Sequence, residues 1–343
     1  MTKTAFVLGA SGQVGEAVIP ALLQDGWRVR AGSRTVHAWP EAVEGVLVDR
    51  EEDASFEAAI GDGVDVLVDC VAYTAAHATQ IIRAGDRIGS AIVLSSVSLY
   101  ADDEGRTLDE ATGVESFPRL PNPVVETQLR TTPGPETYSS RKVAMEDVLL
   151  HEDVAVPITI LRPGTIYGPG SVHPREYWFI KRALDRRPVQ LLNWGGLSQF
   201  SMSNSRNIAE LVRLAAAAPR RRILHAVDDR ALTTAEIAAI TNAHLDHHPA
   251  QFLLEGQSTL GETPWSVPGT KPIIASMAAA ETELGYRPVA TYADTVPDLV
   301  DRIVGTIADG DWATAYPAFL RANGREAFDY EAEDAWVRSH ALR

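Results

Sequence analysis

Short apolar runs alternate with amphipathic stretches through the N-terminal third of the chain. Phe6-Val7-Leu8 reads as a strand, followed by a helix from Val14 to Gln24 that Gly26 ends. The runs Trp27 to Ala31, Gly45 to Val48, Val64 to Val68 and Ala91 to Leu94 read as further strands, with helices at Ser55 to Ile60 and Ala75 to Ala84 between them. Strand and helix in such close alternation predict a parallel sheet covered by helices on both faces. Right-handed crossovers then bring the carboxyl ends of the strands to one edge, where ligands of such sheets bind.

The rhythm breaks from Ala101 to Pro135, first acidic (Asp102, Asp103, Glu104, Asp109, Glu110) and then dense in proline. A loop of that length in a compact domain is usually functional. It resumes with a helix from Tyr138 to Leu150 and a strand at Ile158-Thr159-Ile160-Leu161, then loosens into a helix at Glu176 to Leu184, an apolar run at Val189 to Leu192 and a helix at Asn207 to Ala218. The expected architecture is α/β: a doubly wound parallel sheet over residues 1–165, to which helix 207–218 returns, and a smaller C-terminal substrate-binding domain over 166–343. The acidic, aromatic tail from Asp309 to Arg343 is expected to pack as an extra helix.

At 343 residues the chain is roughly two domains long. Its 45% hydrophobic and 22% charged residues fit a globular protein with a sizeable core. The formal net charge of −15 disfavours a nucleic-acid backbone or an anionic membrane as partner. Cys70, the single cysteine, has no internal partner for a disulfide, which fits a reducing cytoplasm. No apolar run reaches the length of a membrane span. The N-terminal segment is expected to be the first core strand and not a signal peptide. A small-molecule partner is the expectation that remains.

Gly9-Ala10-Ser11-Gly12-Gln13-Val14-Gly15 stands between the first strand and the first helix. The first glycine allows a tight turn, the second lets backbone approach a pyrophosphate at the helix N-terminus, and the third allows close packing of helix on strand. At the end of the second strand, Gly32-Ser33-Arg34 offers a hydroxyl and a guanidinium where an NAD site would carry an acid. Both groups suit a 2′-phosphate, so NADP(H) is expected over NAD(H), the alternative being a solvated arginine. Asp49, ending the third strand, could accept from an adenine amino group or cap the helix that follows.

Tyr138 and Lys142 are four apart on a predicted helix, hence on one face. An isolated phenol titrates near pH ~10. An ammonium one turn away favours the phenolate and brings the tyrosine into proton-transfer range. Ser95-Ser96-Val97-Ser98 ends the fifth strand at the ligand edge, where Ser96 is the candidate to hold a substrate oxygen and Ser98 its rival. Among the histidines, His173 follows Gly168-Pro169-Gly170 and could reach a substrate. No residues show a metal-binding spacing.

Taken together, the glycine run, Ser96 four residues before Tyr100, Tyr138-x-x-x-Lys142 with Glu146, Leu161-Arg162-Pro163-Gly164-Thr165-Ile166-Tyr167-Gly168-Pro169 and Leu284-Gly285-Tyr286-Arg287-Pro288 resemble the extended short-chain dehydrogenase/reductases, the NAD-dependent epimerase/dehydratase family. The resemblance implies a Rossmann sheet with a small substrate domain, and hydride transfer between nicotinamide and a carbonyl or alcohol carbon. It makes Tyr138 the acid/base, places Lys142 on the ribose and Ser96 on the carbonyl oxygen. The cofactor contacts expected from these readings together are Gly9, Ser11, Gly12, Gln13, Val14, Gly15, Ser33, Arg34, Asp49, Ala72, Tyr138, Lys142 and Pro163; the substrate contacts expected are Ser98, Thr165, His173, Trp178 and Phe200. It also implies a homodimer through the helices Ala75–Ala84 and Tyr138–Leu150.

The departures from that pattern carry weight. Nucleotide-sugar members commonly have Asn at the position of Thr165 and Arg at that of Phe200. Dehydratases carry an Asp-Glu pair where Val97 and Ser98 stand, so dehydration lacks its carboxylates here. The leading expectation is an NAD(P)-dependent oxidoreductase acting on a ketone, aldehyde or secondary alcohol that is not a sugar nucleotide. Its alternatives are an NAD-dependent sugar epimerase and a non-catalytic cofactor-sensing protein on the same fold.

Overall fold

The structure, a computed structural model, describes residues 2–151, 153–269, 271–307 and 311–340. It divides into two compact units, one of Met1–Ile166, Met202–Asp229 and Ala275–Ala290, the other of Tyr167–Ser201, Arg230–Ile274 and Thr291–Arg343.

In the first unit, β1 (Thr4–Leu8), β2 (Arg28–Ser33), β3 (Val43–Leu47), β4 (Val66–Asp69), β5 (Ala91–Leu94) and β6 (Ile158–Pro163) join the strand Arg222–Ala226 in one sheet. Its seven strands lie in the order Arg222–Ala226, β6, β5, β4, β1, β2, β3. All the neighbouring pairs run parallel. The helices α1 (Gln13–Gln24), α2 (Asp53–Ile60), α3 (Ala75–Arg83) and α4 (Tyr138–Leu149) lie in the connections between β1 and β6, and the helix Ser205–Ala217 lies in the connection from β6 to Arg222–Ala226. This is the doubly wound, Rossmann-type sheet the alternation predicts.

The two-residue period of a strand sorts its side chains between two cores. From β1, Ala5 and Val7 pack with Val14, Val18 and Leu22 of α1 and with Ile208, Leu211 and Val212 of the helix Ser205–Ala217. Phe6 and Leu8 face the other way, onto Phe56 and Ile60 of α2, Ala78 and Ile81 of α3, and Met145 and Leu149 of α4. Strand order reverses between β1 and β4, so the crevice beyond their carboxyl ends opens at Leu8 and Asp69.

The ends of elements differ from the sequence expectation by a few residues, because pairing with neighbours sets them. β2 runs on to Ser33, which pairs with Leu47 of β3. Val64 makes only an isolated bridge to Ile88, and β4 starts at Val66. The stretch 101–135 forms no helix, and Tyr100 and Arg130 close it with an antiparallel bridge. Its staple is Asp102, a buried carboxylate that accepts from the backbone N–H groups of Glu104, Arg106 and Arg119 and from Arg106 Nε.

In the second unit, the strands Val189–Leu192 and Ala250–Leu253 pair in parallel. The helix Tyr177–Leu184 is wrapped by aromatic residues of the tail: Trp312, Tyr316, Phe319 and Phe328 each meet the Tyr177 ring within 5.9 Å. The tail therefore supplies helices at Trp312–Ala315, Pro317–Asn323 and Tyr330–His340. Residues 309–310 and 341–343 of that stretch lie outside the described residues. Buried Glu333 pairs with Arg182, and Arg187 pairs with Asp334 at 2.6 Å.

Candidate active site

The glycine run of the first unit makes a close turn between β1 and α1. Gly9 has φ +81°, a conformation glycine adopts at little cost. A Cβ on Gly15 would stand 2.4 Å from the Gly9 carbonyl oxygen, so helix and turn approach only because no side chain intervenes. Gly12 is the N-cap of α1 and puts no side chain over the first-turn N–H groups. An anionic diphosphate fits such an end, meeting both the N–H groups and the helix dipole. Ser11 is exposed, Gln13 half-buried and Val14 buried at the same turn.

Beside the turn lies a cavity of about 380 Å³ lined by Leu8, Gly9, Ser11, Gly12, Gly32, Ser33, Arg34, Val48, Asp49, Arg50, Glu51 and Val71. Glycine loop, second-strand end and third-strand end thus come together around one space. Arg34 is exposed there and has no hydrogen-bond or ion-pair partner among the described residues. Ser33 donates to the Thr35 carbonyl at 2.8 Å. Asp49 is not the cap of α2, whose N-cap is Glu52; its Oδ1 instead accepts from the Glu51 backbone N–H at 3.0 Å. Glu51 lies 3.3 Å from His77 Nε2. Arg50, which the sequence reading did not single out, is buried under the cavity and pairs with Asp69 at 2.8 Å.

The other half of the site stands on α4. A capping box starts this helix: Thr137 Oγ1 accepts from the Ser140 N–H at 3.1 Å, and Ser140 Oγ accepts from the Thr137 N–H at 2.9 Å. Tyr138 is the first residue after the cap and is 41% exposed. One turn on, Lys142 is 5% exposed, its Nζ 5.7 Å from the Tyr138 ring centroid. Two of the three ammonium protons are donated, to the Ala72 carbonyl at 2.7 Å and the Leu94 carbonyl at 2.8 Å. Ala72 follows Val71 of the cavity wall, so the lysine is tied to its rim. Burial pulls the ammonium down to about 8, against the Asp69 and Glu146 charges that support it. Burial pushes the Tyr138 phenol up to about 12; the Ser96 hydroxyl works the other way, and Tyr73 and Asp109 add to the rise.

Ser96 and Ser98 lie at the carboxyl end of β5, their hydroxyls 2.9 Å apart. Ser98 Oγ is a further 2.9 Å from Ser139 Oγ on α4. Asp109, from the long loop, accepts from the Ser139 backbone N–H at 2.7 Å. Tyr73, at the start of the β4–α3 crossover, holds its ring 5.4 Å from that of Tyr138. Tyr73 and Asp109 escaped the sequence reading because chain segments far apart bring them to the phenol. The Glu146 and Arg162 of the quoted motifs form a buried two-pronged pair, Arg162 Nε to Glu146 Oε1 at 2.9 Å and Nη2 to Oε2 at 2.5 Å. That pair fixes α4 against β6.

Pro163 is buried at the end of β6, in register with Ala226, and Thr165 is half-buried just beyond it. The remaining substrate candidates belong to the second unit. Trp178 is fully buried, with the Arg182 guanidinium 3.4 Å above its ring, and is packed as core. Phe200 is half-buried and stacks on Trp265 at 5.5 Å. His173 lies 5.8 Å from the Phe319 ring and 3.3 Å from Asn323 Nδ2; burial lowers it to about 4. Among the described residues no group of three or more His, Cys, Asp or Glu could hold a metal ion. No described helix is long and apolar enough to cross a membrane.

Solved structures share the fold across most of the chain. UDP-N-acetylglucosamine 4-epimerase from Bacillus cereus superposes with a TM-score of 0.65 at 16% identity, covering 87% of this chain and 98% of its own. UDP-glucuronic acid 4-epimerase from Bacillus cereus, in complex with NAD, gives 0.65 at 17%, covering 90% and 99%. WbmH from Bordetella bronchiseptica, in complex with NAD+, gives 0.66 at 15%, covering 89% and 99%. Among curated proteins none matches at a significant level. The profile of the NAD dependent epimerase/dehydratase family matches residues 5–225, a span that includes the glycine turn, the β5 serines and α4. The chain is a member of the NAD-dependent epimerase/dehydratase family.

Proposed function

We propose that this protein is a nicotinamide-dinucleotide-dependent epimerase, inverting a hydroxyl-bearing carbon of a sugar-like substrate by oxidising it and reducing it again. The observation that carries the reading is the pairing of Tyr138 with buried Lys142 on one turn of α4, tied through Ala72 to the rim of the glycine-loop cavity. Two of the similar structures are 4-epimerases of UDP-sugars, and this favours epimerisation over the net reduction of a non-sugar carbonyl. The backbone of Gly9, Ser11, Gly12 and Gln13 would hold the diphosphate, and Ser33, Arg34 and Asp49 the adenosine end. When bound, the nicotinamide supplies the hydride acceptor and donor.

The chain's own residues handle the proton. Tyr138 takes it from the substrate hydroxyl and returns it to the same oxygen, so no net acid or base is needed. Lys142 adds a positive charge that lowers the cost of the phenolate. Ser96, with Ser98 beside it, orients the substrate oxygen, and Thr165 is a further proposed substrate contact. A homodimer through α3 and α4, in a reducing cytoplasm that leaves Cys70 unpaired, belongs to the same reading.

A second reading, an NADP(H)-dependent reductase, is favoured by Arg34. Its guanidinium lines the cavity unpaired, while the acids nearby, Asp49 and Glu51, already have partners. Incubation with NAD or NADP and either UDP-N-acetylglucosamine or UDP-glucuronic acid, followed by NMR of the sugar, separates the two. Epimer formed without net change in nicotinamide absorbance, and lost in Tyr138→Phe, supports the first. NADPH consumed in step with a carbonyl panel, and no epimer, supports the second; neither outcome from wild type contradicts both.

A further inference from the structure

Several arginines of the first unit that are buried or half-buried meet a carboxylate: Arg50 pairs with Asp69, Arg106 with Asp102, and Arg130 and Arg162 with Glu146. Arg141, half-buried on α4, pairs with no carboxylate among the described residues. The chain has 46 acids to 31 bases, so acids to pair with it are not scarce. Its guanidinium lies instead 5.2 Å from the ring centre of Tyr73, and that ring lies 5.4 Å from the ring of Tyr138. Lys142 Nζ is 5.9 Å from the same Tyr73 ring. A guanidinium presents its N–H groups as a rigid fork whose edges each match an oxyanion. The edge of Nε and Nη2 is spent on backbone, 3.1 Å from the Thr137 carbonyl and 3.4 Å from the Glu136 carbonyl. The edge of Nη1 and Nη2 is unspent. So is the hydroxyl of half-buried Tyr73, which has no hydrogen-bond partner among the described residues. The Tyr73 backbone is fixed, its N–H donating to His77 Nδ1 at 3.0 Å and the Ala72 carbonyl before it accepting from Lys142 at 2.7 Å.

We propose that Arg141 and Tyr73 form an oxyanion site beside Tyr138, which takes a carboxylate or phosphate of the bound ligand on the free guanidinium edge and the phenolic hydroxyl. The inference rests on the reading of Tyr138 as the proton-transfer group, since it takes the ligand to lie beside that phenol. A partly desolvated cation without a counter-charge is costly, and a ligand's anion supplies the missing charge where a protein carboxylate would have closed the site. The flat ring of Tyr73 keeps the guanidinium in place without neutralising it. The source of the anion is either a phosphate of the dinucleotide or an acid group carried by the substrate. Both present the same oxygens to the fork, and they are told apart by which ligand loses affinity.

The test is a set of binding titrations on wild type, Arg141→Gln and Tyr73→Phe. NADH, which has no 2′-phosphate for Arg34 to meet, is followed by its fluorescence. UDP-glucuronic acid and UDP-glucose, which differ in one carboxylate, are titrated calorimetrically in the presence of NAD. If the anion belongs to the dinucleotide, Arg141→Gln is expected to raise the NADH dissociation constant about tenfold and to leave the ratio of the two UDP-sugars as in wild type. If it belongs to the substrate, NADH binding is expected to stay the same and the preference of wild type for the uronate to fall about tenfold. Tyr73→Phe keeps the ring and should lose about threefold in the same titration; it serves if Arg141→Gln fails to fold. Variants that bind NADH and both UDP-sugars as wild type does, or a wild type that binds none of the three, overturn the proposal. The titrations read binding and not turnover, so a wild type that binds these ligands but forms no epimer counts against the epimerase reading alone.

Discussion

Lys142 donates to the Ala72 and Leu94 carbonyls and holds its ammonium 5.7 Å from the ring of Tyr138. One side chain thereby links the ends of two sheet strands to the first turn of α4. Because its surroundings hold the group near 8, the charge on which that link depends is present at neutral pH and lost just above it.

Dinucleotide affinity of the wild type is therefore expected to weaken as pH rises through about 8, as the ammonium loses its proton. Lys142→Met should bind about tenfold more weakly at neutral pH, the loss of one hydrogen bond to a charged group, and show no step at that pH. Fluorescence titrations with NADPH across the pH range check both statements.

Arg34 bears on the choice of dinucleotide. Arg34→Ala should raise the dissociation constant for NADP by about tenfold, the worth of one charge-assisted contact, and leave that for NAD nearly unchanged. Equal effects on the two would show that the guanidinium does not read the 2′ position.

Glu146 is fully buried and accepts from Arg162 and Arg130. Glu146→Ala leaves the Arg162 guanidinium buried without its carboxylate, at a cost of about 3–5 kcal/mol. Folded domains are stable by only about 5–15 kcal/mol. Urea unfolding should show a large drop in midpoint, with Glu146→Gln falling between the two.

His225 supplies an acid limit to stability. Its Nε2 meets the Tyr100 hydroxyl and its Nδ1 donates to the Ser276 carbonyl, an arrangement of the neutral ring. Burial lowers its pKa below the ordinary 6.5, although Glu126 favours the charged form. The unfolded chain binds a proton that the fold refuses, so the stability involved is present above 6.5 and lost as pH falls below it. Thermal melts from about pH 8 to about pH 5 should show this fall. His225→Phe, less stable throughout, should show a shallower slope over the same range.

Much of this arrangement was legible in the sequence because it is local. The spacing of Tyr138 and Lys142 is one helical turn, and the glycine run sits between a strand and a helix whose patterns are plain. Their chemistry needs no knowledge of the rest. Links across the sheet were hidden: Ser139 reaches Ser98 only because α4 packs against the end of β5, and Arg50 reaches Asp69 only because the third and fourth strands end on one edge. Epimerase and reductase were indistinguishable on these residues, since the same phenol and ammonium move the same proton in both. Trp178 shows the limit of reading aromatic residues as pocket, for its ring lies in the core of its unit beneath Arg182.

The central claim is that the glycine cavity takes a nicotinamide dinucleotide beside Lys142 and Tyr138. Fluorescence titration of NADPH and NADH into wild type and Gly15→Val measures it most directly. The account predicts saturable binding of one dinucleotide per chain to wild type and none to the variant, whose side chain would collide with the Gly9 carbonyl and Ala10. Wild type that binds neither nucleotide, or a folded Gly15→Val that binds as tightly as wild type, would contradict it.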